Sequence, residues 1–291
     1  MTLDSKTLNA KTLQSRLLAW YARHGRRLPW RQTKNPYRIV VAEVMLQQTQ
    51  VERVVQKYRA WIKAFPSWEA LAQAPLRDVL RLWSGLGYNS RAARLQKLAQ
   101  HVLSAGLPEE ERSLVQLPGV GPYTAGAIRV FVFNKPGRCI DVNIERVMKR
   151  VCFTRRQRPS RRRLQEAVLA SFPRGRARAW GNALMDLGSS HCSATRPSCS
   201  TCPIRSICKS RGERPEEKRE RARRRQSPFL HSTRWWRGQI LKVLTQQTME
   251  KSVLYKAIPH NDKAAFENAL AALRAEGLVK GVKHLRVGAA P

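Results

Sequence analysis

Acidic side chains are scarce in this 291-residue chain: 20 Asp and Glu stand against 55 Lys and Arg, a formal net charge of +35. Such an excess repels itself unless a polyanion neutralises it, and nucleic acid is the first candidate. Ribosome contact, a membrane surface or the Arg bias of a GC-rich genome also produce high charge, so charge by itself names no reaction. Long apolar runs are missing too. No stretch offers the roughly 18 apolar residues a membrane helix needs. No N-terminal segment joins a basic start to an apolar run and a small-residue cleavage site. The expectation is a soluble, cytoplasmic protein with no membrane partner. Cysteine is sparse, six residues in all, yet Cys192, Cys199, Cys202 and Cys208 crowd together. In an intracellular protein that crowding reads as a metal site before it reads as disulfides.

What is present is mostly helical pattern. The chain is 42% hydrophobic, enough for one large or two small packed domains. Leu13, Leu17, Trp20 and Tyr21 share a helical face with Gly25 as its stop. Val51, Val54, Val55, Tyr58, Trp61, Ile62 and Phe65 repeat at three and four residues. Leu95, Leu98, Ala99 and Val102, closed by Gly106, do the same, as do Ile144, Val147, Met148 and Val151. These apolar residues are expected in the core. Two basic runs follow: Arg155, Arg156, Arg158, Arg161, Arg162 and Arg163, then a stretch from Arg211 to Arg225 that reads as a linker or flexible arm. Either run can be solvated or track phosphates. Beyond Trp235 the pattern is helices around Ile240–Leu244 and Phe266–Leu273, a stop at Gly277, and a hairpin of Leu278–Val279, a Lys280–Gly281 turn and Val282–Val287. Three helices and a hairpin are the order of a small winged-helix module.

Three motifs carry chemistry. The spacing Cys192-x6-Cys199-x2-Cys202-x5-Cys208 suits soft thiolate ligation of tetrahedral zinc or of a cubane iron–sulfur cluster. Cys139 and Cys152 lie outside it and read as small buried residues. Leu117-Pro118-Gly119-Val120-Gly121-Pro122-Tyr123-Thr124-Ala125 is a glycine-punctuated turn opening a helix. Its glycines allow close approach, and the amides at the helix start carry partial positive charge, which holds a phosphate without base preference. The third motif is a pair of carboxylates. Asp141 stands just before a helix, where most Asp residues are N-caps. Glu43 is a lone acid in an apolar stretch, Val41 to Met45, a setting that raises a carboxyl pKa and so favours general-acid work.

Together these strings resemble the helix-hairpin-helix, iron–sulfur DNA glycosylases, and most closely the MutY-type adenine glycosylases, over residues from about 12 to 210. The cysteine spacing matches the [4Fe–4S] loop of that class, and the full hairpin string matches its DNA-holding turn, with Gly119, Val120, Gly121 and Thr124 at the backbone. The resemblance implies that Asp141 stabilises the oxocarbenium ion and that Asn143 helps hold the target nucleotide. Glu43, followed by Met45-Leu46-Gln47-Gln48-Thr49, implies the acid that protonates adenine and helps position water. Gln47 and Gln48 match residues that wedge into the base stack. Leu82 to Tyr88 matches a second wedge with Tyr88 as the intercalating aromatic, filling the hole left by a flipped base. Arg26, Leu28, Trp30, Arg31 and Val51 fall on the adenine pocket, and Asp186 matches an acid read as structural. Tyr123 stands where bifunctional members such as endonuclease III carry a Schiff-base Lys, which implies a monofunctional enzyme.

The implied fold is mainly α: a glycosylase domain of two helical subdomains over 1–190, a cluster loop over 191–210, a basic linker over 211–232 and a winged-helix-like module over 233–291. The implied partner is double-stranded DNA with a mispaired or damaged base, met by a monomer at the bacterial nucleoid. Two features depart from the pattern. Asn89 stands where a second Tyr is common, and no segment after Cys208 is long enough for the Nudix-related domain that reads 8-oxoguanine. Excision of thymine or uracil opposite guanine, or of a modified base, is therefore a second reading. A non-catalytic DNA-binding protein is a reading of another class, which the intact Glu43 and Asp141 argue against.

Overall fold

The computed structural model describes residues 5–154, 156–212 and 229–288. Arg155 and nearly all of the Arg211–Arg225 run lie outside the described residues. The chain is mainly helical. In order come α1 (Ser5–His24), α2 (Pro36–Leu46), α3 (Val51–Ala64), α4 (Trp68–Gln73), α5 (Leu76–Trp83), α6 (Ser90–Ala105) and α7 (Glu111–Leu114). Then follow α8 (Pro122–Phe131), α9 (Val142–Cys152), α10 (Arg161–Ala170), α11 (Ala177–Ser190), α12 (Thr233–Leu244), α13 (Lys251–Ala257) and α14 (Lys263–Ala275). The strands are β1 (Met249–Glu250), β2 (Val279–Lys280) and β3 (His284–Val287).

Local chemistry sets many of these boundaries. Side-chain oxygens of Ser67, Asp141, Ser160, Ser232 and Asp262 accept from backbone N–H groups at the starts of α4, α9, α10, α12 and α14. Each cap satisfies donors that the helix cannot pair internally. Gly106 closes α6 at φ +77°, as its place after Ala105 requires.

The residues gather into two compact units that interleave along the sequence. The first takes Met1–Ile39, Pro108–Gln116 and Val120–Arg221; the second takes Val40–Leu107, Leu117–Gly119 and Ala222–Pro291. In the first unit α11 packs against α1, α8 and α9. Leu17, Ile128, Val147, Met148, Trp180, Leu184 and Leu187 are sealed there. The Trp180 indole N–H donates to Ser171 Oγ at 3.0 Å, so its one polar atom is satisfied.

In the second unit α6 packs on α4 and α5, and α5 also meets α3 and α12. Trp61 and Trp83 meet edge to face at 5.4 Å in its core. The C-terminal part joins α12 and α14 around Trp236, Phe266, Leu270 and Leu273. It carries a three-stranded antiparallel sheet of order β1-β3-β2, with Met249 opposite Leu285 and Val279 opposite Val287. Two details differ from the sequence expectation. Strand β1 was not anticipated, since two residues show no alternation. The hairpin turn is longer than Lys280–Gly281: Val282 is 84% exposed and β3 starts only at His284.

Candidate active site and DNA-contact elements

Glu43 sits within α2 and is only 9% exposed, flanked by the buried Val40, Val41, Ala42, Val44 and Met45. The carboxyl is thus set in an apolar helix segment, as the sequence suggested. Asp141 has a different setting. It is the N-cap of α9, and its Oδ1 accepts from the Asn143 and Ile144 amides at 3.0 and 2.7 Å. Its Oδ2 accepts from Asn143 Nδ2 at 3.0 Å. The same donors that make the cap also fix the carboxylate's direction. Glu43 belongs to the second unit and Asp141 to the first.

Asn143 is itself held. Arg146 donates from one nitrogen to Asn143 Oδ1 at 2.6 Å and to the Gly188 carbonyl at 2.7 Å, and from Nε to the Cys192 carbonyl at 2.6 Å. A Cβ on Gly188 would lie 2.5 Å from the Asn143 Cβ, so only glycine lets α11 come this close. A continuous set of hydrogen bonds therefore runs from Asp141 through Asn143 and Arg146 to the start of the cysteine loop. Neither Arg146 nor Gly188 was singled out by sequence reasoning.

In the second unit the two segments expected to act as wedges share one anchor that the sequence did not reveal. Arg91 is 8% exposed and donates to the carbonyls of Val44, Gln47, Leu86 and Gly87 at 2.9, 2.6, 2.9 and 3.0 Å. Its guanidinium carbon also lies 5.3 Å from the Trp83 ring centroid and 5.6 Å from that of Tyr88. Burial lowers the Arg91 pKa, partly offset by Tyr88. Gln48 and Tyr88, the expected wedge residues, have φ of +55° and +47°. Left-handed backbone costs a non-glycine residue about 1–2 kcal/mol, so both loops are held in place. Tyr88 is 45% exposed. Arg91 and Thr49, whose hydroxyl donates to the carbonyls of Gln47 and Leu86, supply the hold.

At the hairpin, Gly119 has φ +74°, and a Cβ there would lie 2.9 Å from Arg94 Cβ. Val120 is buried and Gly121 is the N-cap of α8, where no side chain caps the helix and Pro122 opens it. Tyr123 is half-buried in the first turn, followed by buried Thr124. This is the helix start expected to face a phosphate.

The residues expected at the base pocket fall into two sets. Arg26 and Arg31 converge on Asp186, which is 3% exposed: Arg26 Nε reaches Oδ1 at 2.7 Å, and Arg31 makes a two-pronged contact at 2.7 and 3.0 Å. Burial alone would raise the Asp186 carboxyl, but the hydrogen bonds and charges of Arg31 and Arg26 outweigh it and hold it below the usual range. Trp30 is buried and Leu28 half-buried on the same segment. Val51, at the start of α3, is half-buried in the second unit.

Cys192, Cys199, Cys202 and Cys208 all line one cavity of about 570 Å³ in the first unit. Arg150 Nη1 points to Cys192 Sγ at 3.3 Å and to the Ser193 carbonyl at 2.7 Å. Burial pushes the Cys208 thiol up to about 11, with the neighbouring thiols adding to it. Among the described residues, no three His, Cys, Asp or Glu side chains converge on one ion position. Four soft donors around a space, with an arginine turned to one of them, fit a multi-atom group. Cys139 is buried as expected, and Cys152 is half-buried.

Residues 41–174 match the family described as HhH-GPD superfamily base excision DNA repair protein. The chain is 38% identical over 199 residues to an adenine DNA glycosylase of Buchnera aphidicola, covering 67% of this chain and 57% of that protein. It therefore spans little more than half the length of that relative. An adenine DNA glycosylase of Mycobacterium tuberculosis is 35% identical over 277 residues, covering 90% of this chain and 88% of that protein. A solved thermostable thymine-DNA glycosylase superposes with TM-score 0.64 at 26% identity, over 70% of this chain and 97% of that one. The chain belongs to the HhH-GPD superfamily of base excision DNA repair proteins, in the family of the adenine DNA glycosylases. Among the described residues no helix is long and apolar enough to cross a membrane.

Proposed function

We propose that this chain is a monofunctional, base-flipping DNA N-glycosylase that removes mispaired adenine from duplex DNA. The observation that carries the reading is the match to a relative named adenine DNA glycosylase across 88% of the relative's length. The two carboxylates support it. Glu43 gives its proton to a ring nitrogen of the leaving base as the N-glycosidic bond breaks and both bonding electrons go to the base. Asp141 faces the positive charge left on the sugar. Water then adds at the sugar carbon, and its proton returns to the Glu43 carboxylate. Tyr123 offers no amine for an imine, so the product is an abasic site with the strand intact.

Gln47, Gln48 and Tyr88 enter the base stack in this reading, and the Gly119–Thr124 turn holds a phosphate. The segment with Arg26, Leu28, Trp30 and Arg31, tied down by Asp186, borders the base together with Val51. Cys192, Cys199, Cys202 and Cys208 hold a [4Fe–4S] cluster, whose contribution when bound is to order the loop. Arg146 and Arg150 bond that loop's backbone. Protein carrying the cluster is yellow-brown and contains iron; a colourless, zinc-loaded protein overturns this assignment.

The test is excision from duplexes with A opposite G, 8-oxoguanine or C, with T or U opposite G, and with modified bases, each heated in alkali to reveal abasic sites. Adenine release is expected. Glu43→Gln should slow it by about 10²–10⁴-fold. Asp141→Asn should slow it by about 10²–10³-fold while DNA affinity persists, since Asn also caps helices. Release of thymine or uracil alone moves the chain to the mismatch-thymine reading, which the likeness to the thymine-DNA glycosylase favours. No release from any duplex favours the binding protein.

A further inference from the structure

The second unit contains a groove of which the catalytic reading uses only the Tyr88 loop. Its volume is about 590 Å³. One wall is the Gly85–Ser90 loop that carries Tyr88, with Arg53 of α3; the other is the N-terminal part of the C-terminal module, with Phe229, Arg234, Arg237 and Lys242. The lining carries these four cationic side chains and one carboxylate, Glu276, which is occupied by Arg237 through contacts of 2.7 and 2.5 Å. Two aromatic rings project beside the cations: Tyr88 is 45% exposed and Phe229 60% exposed. Net positive charge with exposed aromatic faces in a groove is the composition that tracks a nucleic-acid backbone and its bases.

We propose that this groove is a DNA-strand site, in which the C-terminal module and the Tyr88 loop together hold the phosphates next to the base step that Tyr88 enters. The proposal rests on the reading that the chain binds duplex DNA, and it gives the C-terminal module a role in that binding. Lys242 and Arg53, both exposed and on opposite walls, contact the phosphates. Phe229 covers the sugar or base edge beside them. The occupant is a DNA strand because the charge is positive, the floor is partly apolar, and the groove is continuous with the loop that carries the wedge.

The experiment is the salt dependence of affinity for a short duplex with a tetrahydrofuran abasic site, which cannot be cleaved by a glycosylase. Log affinity against log salt falls with a slope of about −0.9 for each phosphate neutralised. Arg53→Ala and Lys242→Ala should each flatten the slope by about 0.9, and the double variant by about 1.8. Lys256→Ala, an exposed lysine of the same module outside the groove, should leave the slope unchanged. Circular dichroism confirms that the surface variants remain folded. Slopes equal to the starting protein's for the groove variants overturn the proposal. So does an equal flattening by Lys256→Ala, which would reduce the effect to total charge. The outcome separates from that of the excision panel. Flattened slopes without base release keep the groove and lose the enzyme; base release with unchanged slopes keeps the enzyme and loses the groove.

Discussion

The two units bury charge in opposite ways. In the first, the Asp186 carboxylate is balanced by two guanidinium groups, Arg26 and Arg31. In the second, the Arg91 guanidinium is 8% exposed and its hydrogen bonds go to main-chain carbonyls of the end of α2 and of two loops. An ion pair ties one side chain to another and fixes elements already formed. A cation that gathers carbonyls instead fixes the path of the backbone itself. That is what Gln48 and Tyr88 need, since both hold left-handed conformations without being glycine.

Removing either charge tests the contrast. Asp186→Ala should cost most, about 3 kcal/mol, because the buried Arg31 then loses its carboxylate partner, while the more exposed Arg26 can turn to water. A denaturation midpoint close to that of the starting protein would show that water replaces the carboxylate. Arg91→Ala should cost less globally, about 2–3 kcal/mol, the scale of a hydrogen bond to a charged group plus a cavity. Its distinctive effect is on excision, which should slow as the wedge loops loosen. Arg91→Lys keeps the charge without the planar fork and should recover stability more than excision rate. Equal recovery of both would mean that Arg91 contributes charge alone.

Gly188→Ala adds a methyl 2.5 Å from Asn143 Cβ and should cost about 1–3 kcal/mol by overpacking. Its activity loss should exceed its stability loss, since the displaced side chain bonds Asp141. The smallest effect is the pH dependence. The Asp186 pKa is lowered on folding, so its stabilisation is complete above its unfolded value near 3.8 and fades as pH falls through the lower folded value. Stability of Asp186→Asn, followed by denaturant titration in acid, should lack that component. An identical acid slope in both proteins would assign the loss to other carboxylates.

Much of this arrangement was legible from letters. The periodic apolar positions of α3 and α9 mark their buried faces because helical period and burial are one constraint. The four cysteines and the Pro-Gly-Val-Gly turn were legible because their chemistry depends on residue type and spacing. Arg91 was not. It is one cation among 55 Lys and Arg, and its partners are carbonyl oxygens, which every residue has. The Asp186 cluster was half legible: each member was noticed, but their convergence spans some 155 to 160 positions of sequence. Gln48 and Tyr88 carry no letter that announces a left-handed backbone, and the interleaving of the two units has no local signature at all.

That interleaving has a consequence for how the chain is made. Once Arg221 has emerged from the ribosome, every segment of the first unit is outside it, including Asp141 and all four clustered cysteines. The second unit at that moment still lacks the whole span from Ala222 to Pro291. Domains fold as their segments emerge, so the cysteine-bearing unit can close before the unit with Glu43 has received all of its segments.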